Sequence, residues 1–196
     1  WLLEVEADQE RFKLSLQSGG EHLAKTALAA LAAVYALGGE LHTAVQDIEK
    51  LELPPGRGNL LNAMGRCIID DSYNANVVSM RYAIDNLGRK SGGKKIALLG
   101  EMRELGDHGP LMHHEVLESC KKLDAVLTVG RAFCDSGEIL GAKLLQHAES
   151  SGDIDLDRLA EYTNPGDTIL VKGSNAIFWR HQFVDRLVSA IKNRQT

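Results

Sequence analysis

The sequence predicts an α/β protein: a doubly wound, mostly parallel Rossmann-like sheet, preceded by a short, largely helical segment. Three features carry that expectation. Beyond residue 58, short β-rich runs alternate with helical stretches, the rhythm of βαβ units. The run Lys95-Ile96-Ala97-Leu98-Leu99 shows no apolar–polar alternation, as expected of a strand buried on both faces. Polar turns follow four of the apolar runs, at the strand ends where open α/β sheets place their ligands.

Phe12-Lys13-Leu14-Ser15-Leu16 alternates and predicts a strand with one wet face, ended by Ser18-Gly19-Gly20. Glu21 to Leu37 is rich in alanine and leucine and predicts a long helix, stopped by Gly38-Gly39. A second helix is expected over about Leu41 to Leu51. The segment Glu52-Leu53-Pro54-Pro55-Gly56-Arg57-Gly58 then forbids regular structure and marks the domain boundary. Strands are expected at Cys67–Asp70, Lys95–Leu99, Ala125–Val129, Leu144–Gln146 and Thr168–Val171. Helices are expected at Val77–Leu87, Leu111–Lys121, Asp155–Glu161 and Ala176–Lys192. The second part, about 140 residues, has an ordinary domain size.

Composition narrows the function. A hydrophobic content of 44% and a charged content of 25% suit a soluble globular protein. With a net charge of -5 and no basic run, a nucleic-acid partner is not expected. The apolar stretch around Ala27 to Leu37 is too short for a membrane span. Cys67, Cys120 and Cys134 have no CxxC spacing, which suits a reducing cytoplasm and gives no zinc site. The adjacent His113 and His114 would diverge on a helix and make a poor chelate, so no metal site is expected. The abrupt opening on Trp1-Leu2-Leu3 reads as a cut through a longer chain.

Chemistry concentrates at the strand ends. Asp70-Asp71-Ser72-Tyr73-Asn74-Ala75-Asn76 puts carboxylates and amides between a strand and a helix N-terminus. There Asp can hold a ribose or a metal, while Asn can read a base edge or simply cap the helix. Gly100-Glu101-Met102-Arg103-Glu104-Leu105-Gly106 is either a recognition loop or a solvated connector. Arg131, after Gly130, is a weaker anion candidate. Lys172-Gly173-Ser174-Asn175 offers an anion site ahead of a helix, or a plain helix cap. Arg57, in the hinge, is placed to reach ligand held between the two parts. No G-x-x-x-x-G-K-[ST], G-x-G-x-x-G or G-x-S-x-G pattern is present, which argues against phosphate-loop, dehydrogenase and hydrolase chemistry within this chain.

These motifs occur in an order that resembles the Mur ligases, and among them those adding D-alanyl-D-alanine. The residues concerned are Asp70 to Asn76, Leu99 to Gly106, His113, Val129-Gly130 and Val171 to Ser174, with Gly20-Glu21-His22 and Pro55-Gly56-Arg57 ahead of them. The resemblance implies the C-terminal part of a three-domain, ATP-dependent ligase of peptidoglycan synthesis. Residues 1–56 would be the end of its central ATPase domain and 57–196 its C-terminal domain. In such an enzyme ATP phosphorylates the carboxylate of UDP-N-acetylmuramoyl-tripeptide, and the amine of D-alanyl-D-alanine attacks the acyl phosphate. Magnesium neutralises phosphate charge, and domain closure excludes water.

By the same resemblance, Arg57, Asp71, Tyr73, Asn74, Asn76 and His22 would contact the nucleotide. Lys172 and Ser174 would meet the carboxylate of the dipeptide. The missing N-terminal and central domains would be the partners, and this chain alone would be inactive and bind neither ATP nor magnesium tightly. Five positions depart from the pattern, one of them Leu117, which replaces a glycine in the His113 helix. Leu23 and Thr26 replace asparagines that help hold adenine, which implies impaired nucleotide binding or an altered pose. Val77 replaces a proline, and Asn175 replaces an arginine that would grip a carboxylate bidentately. Leu23, Thr26 and Asn175 favour a second reading, a non-catalytic binding module derived from such ligases. A third is another amide ligase of the superfamily.

Overall fold

The computed structural model describes residues 2–7, 10–16 and 21–194, with Glu21, His22 and Arg180 described by backbone alone. The expected Ser18-Gly19-Gly20 turn lies outside the described residues. The chain forms two compact units, Trp1–Pro54 and Pro55–Thr196.

In the first unit, β1 (Leu2–Ala7) and β2 (Glu10–Ser15) pair antiparallel, with Leu3 opposite Leu14. Helices α1 (Glu21–Ala36) and α2 (Leu41–Glu49) follow. Leu14, Leu16, Ala24, Ala27, Leu31 and Val45 make the core. Gly38 and Gly39 end α1 by donating to Tyr35 and Val34 carbonyls. The Glu40 carboxylate caps α2 through the His42 and Thr43 amides.

The second unit is a six-stranded sheet in the order β3-β4-β8-β5-β6-β7. Its strands are β3 (Asn59–Ala63), β4 (Arg66–Asp71), β5 (Lys95–Gly100), β6 (Ala125–Val129), β7 (Leu144–Ala148) and β8 (Thr168–Lys172). Only the edge strand β3 runs antiparallel. Every residue of β6 and β8 is buried, and in β5 every residue after Lys95, so these strands lack alternation.

Helices α3 (Val77–Gly88), α4 (Gly109–Ser119) and α5 (Ser136–Leu140) cover one face. Met80, Ile84, Leu87, Val116, Leu117 and Leu140 pack there on Ala97, Leu99, Val126 and Leu170. The other face holds α6 (Leu156–Tyr162), α7 (Asn175–Phe178) and α8 (Phe183–Asn193), packed on Ile96, Leu98, Leu127, Ile169 and Val171.

One expected helix is corrected. Ala176–Lys192 is not continuous: a 3₁₀ turn spans Trp179–His181, and Gln182 adopts φ +45. Phe178 and Phe183 explain the break. Five residues apart, they would point in divergent directions on one α-helix. The interruption brings both into the core with ring centroids 5.2 Å apart. Helix α4 also begins earlier than expected, with Pro110 in its first turn and a 3₁₀ turn at Cys120–Lys122 after it.

Candidate functional site

The strand order decides where a ligand can sit. Chain leaving β4 and β5 enters helices on one face, whereas chain leaving β8, which lies between them, enters helices on the other. Crevices therefore open beside the carboxyl end of β8, a topological switch point of this sheet. Lys172 ends β8, in register with Asp71 on β4 and Leu99 on β5.

Lys172 is 3% exposed, and its Nζ donates to Asp71 Oδ2 at 2.7 Å and to the Asn74 carbonyl at 3.1 Å. The Asp71 side chain keeps 21% exposure while its Oδ2 answers the buried ammonium. The charge of Lys172 is thus met within the chain, where the resemblance had a ligand carboxylate meeting it. Two of its three N–H bonds are used among the described residues.

The turn after β4 is held from several sides. The Ser72 hydroxyl, 1% exposed, donates to Asp70 Oδ1, which also accepts from the Ser72 amide at 3.2 Å. The Tyr73 amide donates to the Gly56 carbonyl at 3.0 Å, and the Gly58 amide to the Asp70 carbonyl at 2.8 Å. These bonds strap residues 56–58 along the turn. Arg57 lies with its guanidinium carbon 3.7 Å from the Tyr73 ring centroid, a cation–π contact on the order of 1 kcal/mol at a partly exposed site. Asn74 closes the turn by accepting from the Ala75 amide at 2.8 Å. Asn76 is the N-cap of α3: its Oδ1 accepts from the Ser79 amide at 2.8 Å, and Ser79 Oγ accepts from the Asn76 amide at 3.1 Å, a capping box. Arg57, Asp71, Tyr73, Asn74 and Lys172 thus come together on one rim, with Asn76 at its helical end.

The two other strand-end loops meet on the far side of β8. The Arg103 amide donates to Ser174 Oγ at 3.1 Å, and the Ser174 amide to the Glu101 carbonyl at 3.3 Å. Ser174 therefore fastens the 101–103 loop and makes no cap bond to α7, which is four residues long. The loop is a fixed turn, held also by His113. His113 is 2% exposed; its Nε2 accepts from the Met102 amide at 2.9 Å, and its Nδ1 lies 2.7 Å from the Gly109 carbonyl. This pairing requires the neutral Nδ1–H tautomer. Burial pushes the imidazole below its ordinary pKa, against smaller opposing pulls from the Gly109 carbonyl and the Glu101 charge. Arg131 faces away into an exposed pair with Glu149 at 3.0 Å.

His22 lies in the first turn of α1, and its side chain is outside the described residues. Among the described residues no three His, Cys, Asp or Glu side chains group as metal ligands. Trp179 is the participant the motifs do not contain. Its indole N–H donates to Ser72 Oγ at 3.2 Å, and its ring meets Tyr73 edge-on at 5.5 Å. Its only sequence signal is a tryptophan soon after the Lys-Gly-Ser turn, in a stretch with helical spacing.

Comparison with known proteins gives a consistent result. Residues 56–175 match the family described as Mur ligase, glutamate ligase domain. The UDP-N-acetylmuramoyl-tripeptide--D-alanyl-D-alanine ligase of Synechocystis is 31% identical over 168 residues, 84% of this chain and 37% of that protein. The Bacillus subtilis enzyme of the same name is 33% identical over 161 residues, 80% of this chain and 33% of that protein. The chain thus spans about a third of the length of these relatives. Among solved structures, MurF ligase from Thermotoga maritima in complex with ADP superimposes with a TM-score of 0.79 at 27% identity, covering 98% of this chain and 44% of that one. MurF from Acinetobacter baumannii gives 0.81 at 27% identity, covering 96% and 42%.

Proposed function

The chain belongs to the Mur ligase family, and from that premise we propose that it is the C-terminal part of a D-alanyl-D-alanine-adding ligase of peptidoglycan synthesis. In the whole enzyme, ATP gives its γ-phosphoryl group to the carboxylate of UDP-N-acetylmuramoyl-tripeptide, releasing ADP. The dipeptide amine then attacks the acyl carbon, and phosphate leaves as the amide forms. We take residues 1–56 as the end of the ATPase domain and 57–196 as the C-terminal domain. The compact unit beginning at Pro55 and the family match beginning at residue 56 support that division. We take the enzyme to act in the cytoplasm; among the described residues no helix is long and apolar enough to cross a membrane.

The observation that carries the reading is the Asp71–Lys172 pair at the switch point, flanked by Arg57 and Tyr73. In this reading Asp71 accepts from ribose hydroxyls, and Lys172 holds its carboxylate at the rim. Arg57 moves from the Tyr73 face, or turns on it, to meet phosphate oxygen. Tyr73, Asn74 and Asn76 form the wall beside the nucleotide. Ser174 and the third N–H of Lys172 are the donors assigned to the carboxylate of the dipeptide. Magnesium accompanies the nucleotide, and no residue of this chain is assigned to it.

Asp71→Ala in the full-length enzyme tests the assignment. Losing a charge-assisted hydrogen bond is worth about 1.5–3 kcal/mol, so nucleotide should bind about ten- to a hundredfold more weakly by calorimetry. Unchanged affinity would remove Asp71 from the site.

A further inference from the structure

We propose that Trp179 is a positioning residue for the nucleotide-facing turn: it clasps Ser72 and Tyr73 from across the switch-point crevice and so fixes Asp71 and Arg57. The proposal rests on the nucleotide reading for its consequence, and on the contacts of Trp179 itself for its geometry.

Trp179 and the turn it touches belong to opposite sides of the sheet. The indole stands on the 3₁₀ turn that follows α7, on the face entered by chain leaving β8. Ser72 and Tyr73 follow β4, whose onward chain enters α3 on the other face. The crevice between β4 and β8 is therefore crossed twice, once by the Lys172–Asp71 ion pair and once by this tryptophan.

The hydrogen bonding of Ser72 is directional. Its proton goes to Asp70 Oδ1, so its oxygen is left to accept, and the indole N–H, which can only donate, fills that place. With Ser72 buried, both roles of its hydroxyl are fixed. The edge of the indole ring bears on Tyr73 at 75° between planes, while the Arg57 guanidinium lies on Tyr73 as well. Gly56 fits into the same corner: a Cβ there would lie 2.9 Å from the Tyr73 amide nitrogen and 3.2 Å from Trp179 Nε1. Trp179 nonetheless remains 45% exposed, more than core packing alone would leave to a ring of this size. The hydrogen bond and the ring contact of its indole are both with the turn.

The test uses Trp179→Phe and Trp179→Ala, reading amide exchange by NMR in this chain and Mg-ADP affinity by calorimetry in the full-length enzyme. Phe keeps an aromatic edge for Tyr73 and loses the N–H; Ala loses both. In Trp179→Ala the Ser72, Tyr73 and Gly58 amides should exchange at least tenfold faster while those of β5 and β8 keep their protection. ADP affinity should fall about three- to tenfold, as for one lost neutral hydrogen bond and its packing. Trp179→Phe should lie between wild type and Ala in both readouts. Unchanged exchange at the three amides overturns the proposal, and so does faster exchange with undiminished ADP binding in an enzyme where Asp71→Ala does weaken it. A general loss of protection across β5 and β8 overturns it too, because Trp179 would then serve the core. If Asp71→Ala and Arg57→Ala bind ADP like wild type, the nucleotide reading fails and exchange alone decides what Trp179 holds.

Discussion

At the scale of residues, His113 shows how one buried ring ties the loop after β5 to the scaffold. Its Nε2 accepts the Met102 amide only while the imidazole is neutral. Burial lowers its folded pKa, so the unfolded chain takes up a proton at about pH 6.5 while the folded chain resists it to lower pH. Unfolding thus binds a proton in that window, and stability should be full above about pH 6.5 and fall as the pH drops toward the folded pKa. His113→Gln keeps an acceptor for Met102 and cannot titrate. Urea midpoints measured from pH 8 to pH 5 should decline less steeply in that variant than in wild type, and parallel declines would exclude His113 as the source. Lys172 teaches a different lesson at this scale. The Lys-Gly-Ser motif pointed to an anion site, and the nearest anion is a carboxylate of the same chain, Asp71.

Among elements, the close approach of two strand ends explains a glycine that local sequence leaves open. A Cβ at Gly173 would lie 2.7 Å from both Gly100 Cα and Phe178 Cε2. The end of β8 therefore reaches the end of β5, and Ser174 reaches the 101–103 loop, only because neither glycine carries a side chain. Gly173→Ala is expected to cost about 1–3 kcal/mol by overpacking, seen as a lower urea midpoint with an unchanged slope. An unshifted midpoint would show that the strand ends can part without loss. The elements that periodicity missed have physical reasons too. Edge strand β3 is exposed at Leu60, Leu61 and Asn62 and has no apolar alternation. Its two-residue turn to β4, Met64-Gly65, places both residues at positive φ, +51 and +78, and of the two only Gly65 is a turn-favouring type. The Ala176–Lys192 stretch has helical spacing, and its interruption answers to the packing of Phe178 against Phe183, a tertiary demand.

For the whole molecule, the sequence contains no phosphate loop, and the geometry brings Arg57, Asp71, Tyr73, Asn74 and Lys172 to one rim with no metal-ligand cluster among the described residues. The chain alone should therefore release no phosphate from ATP in a D-alanyl-D-alanine-dependent way. Steady release above a no-dipeptide control would refute that. The α/β class, the sites of most strands and helices, and the motifs at their ends were legible because they depend on local periodicity and turn chemistry, which a stretch of ten residues already encodes. Which of those motifs share a crevice was not legible. Asp71 and Lys172 are 101 residues apart in sequence and meet because β8 inserts between β4 and β5, and Trp179 reaches Ser72 across 107 residues for the same reason. Strand order follows from how two helical layers bury both faces of the sheet at once, a balance of long-range packing that no local pattern contains.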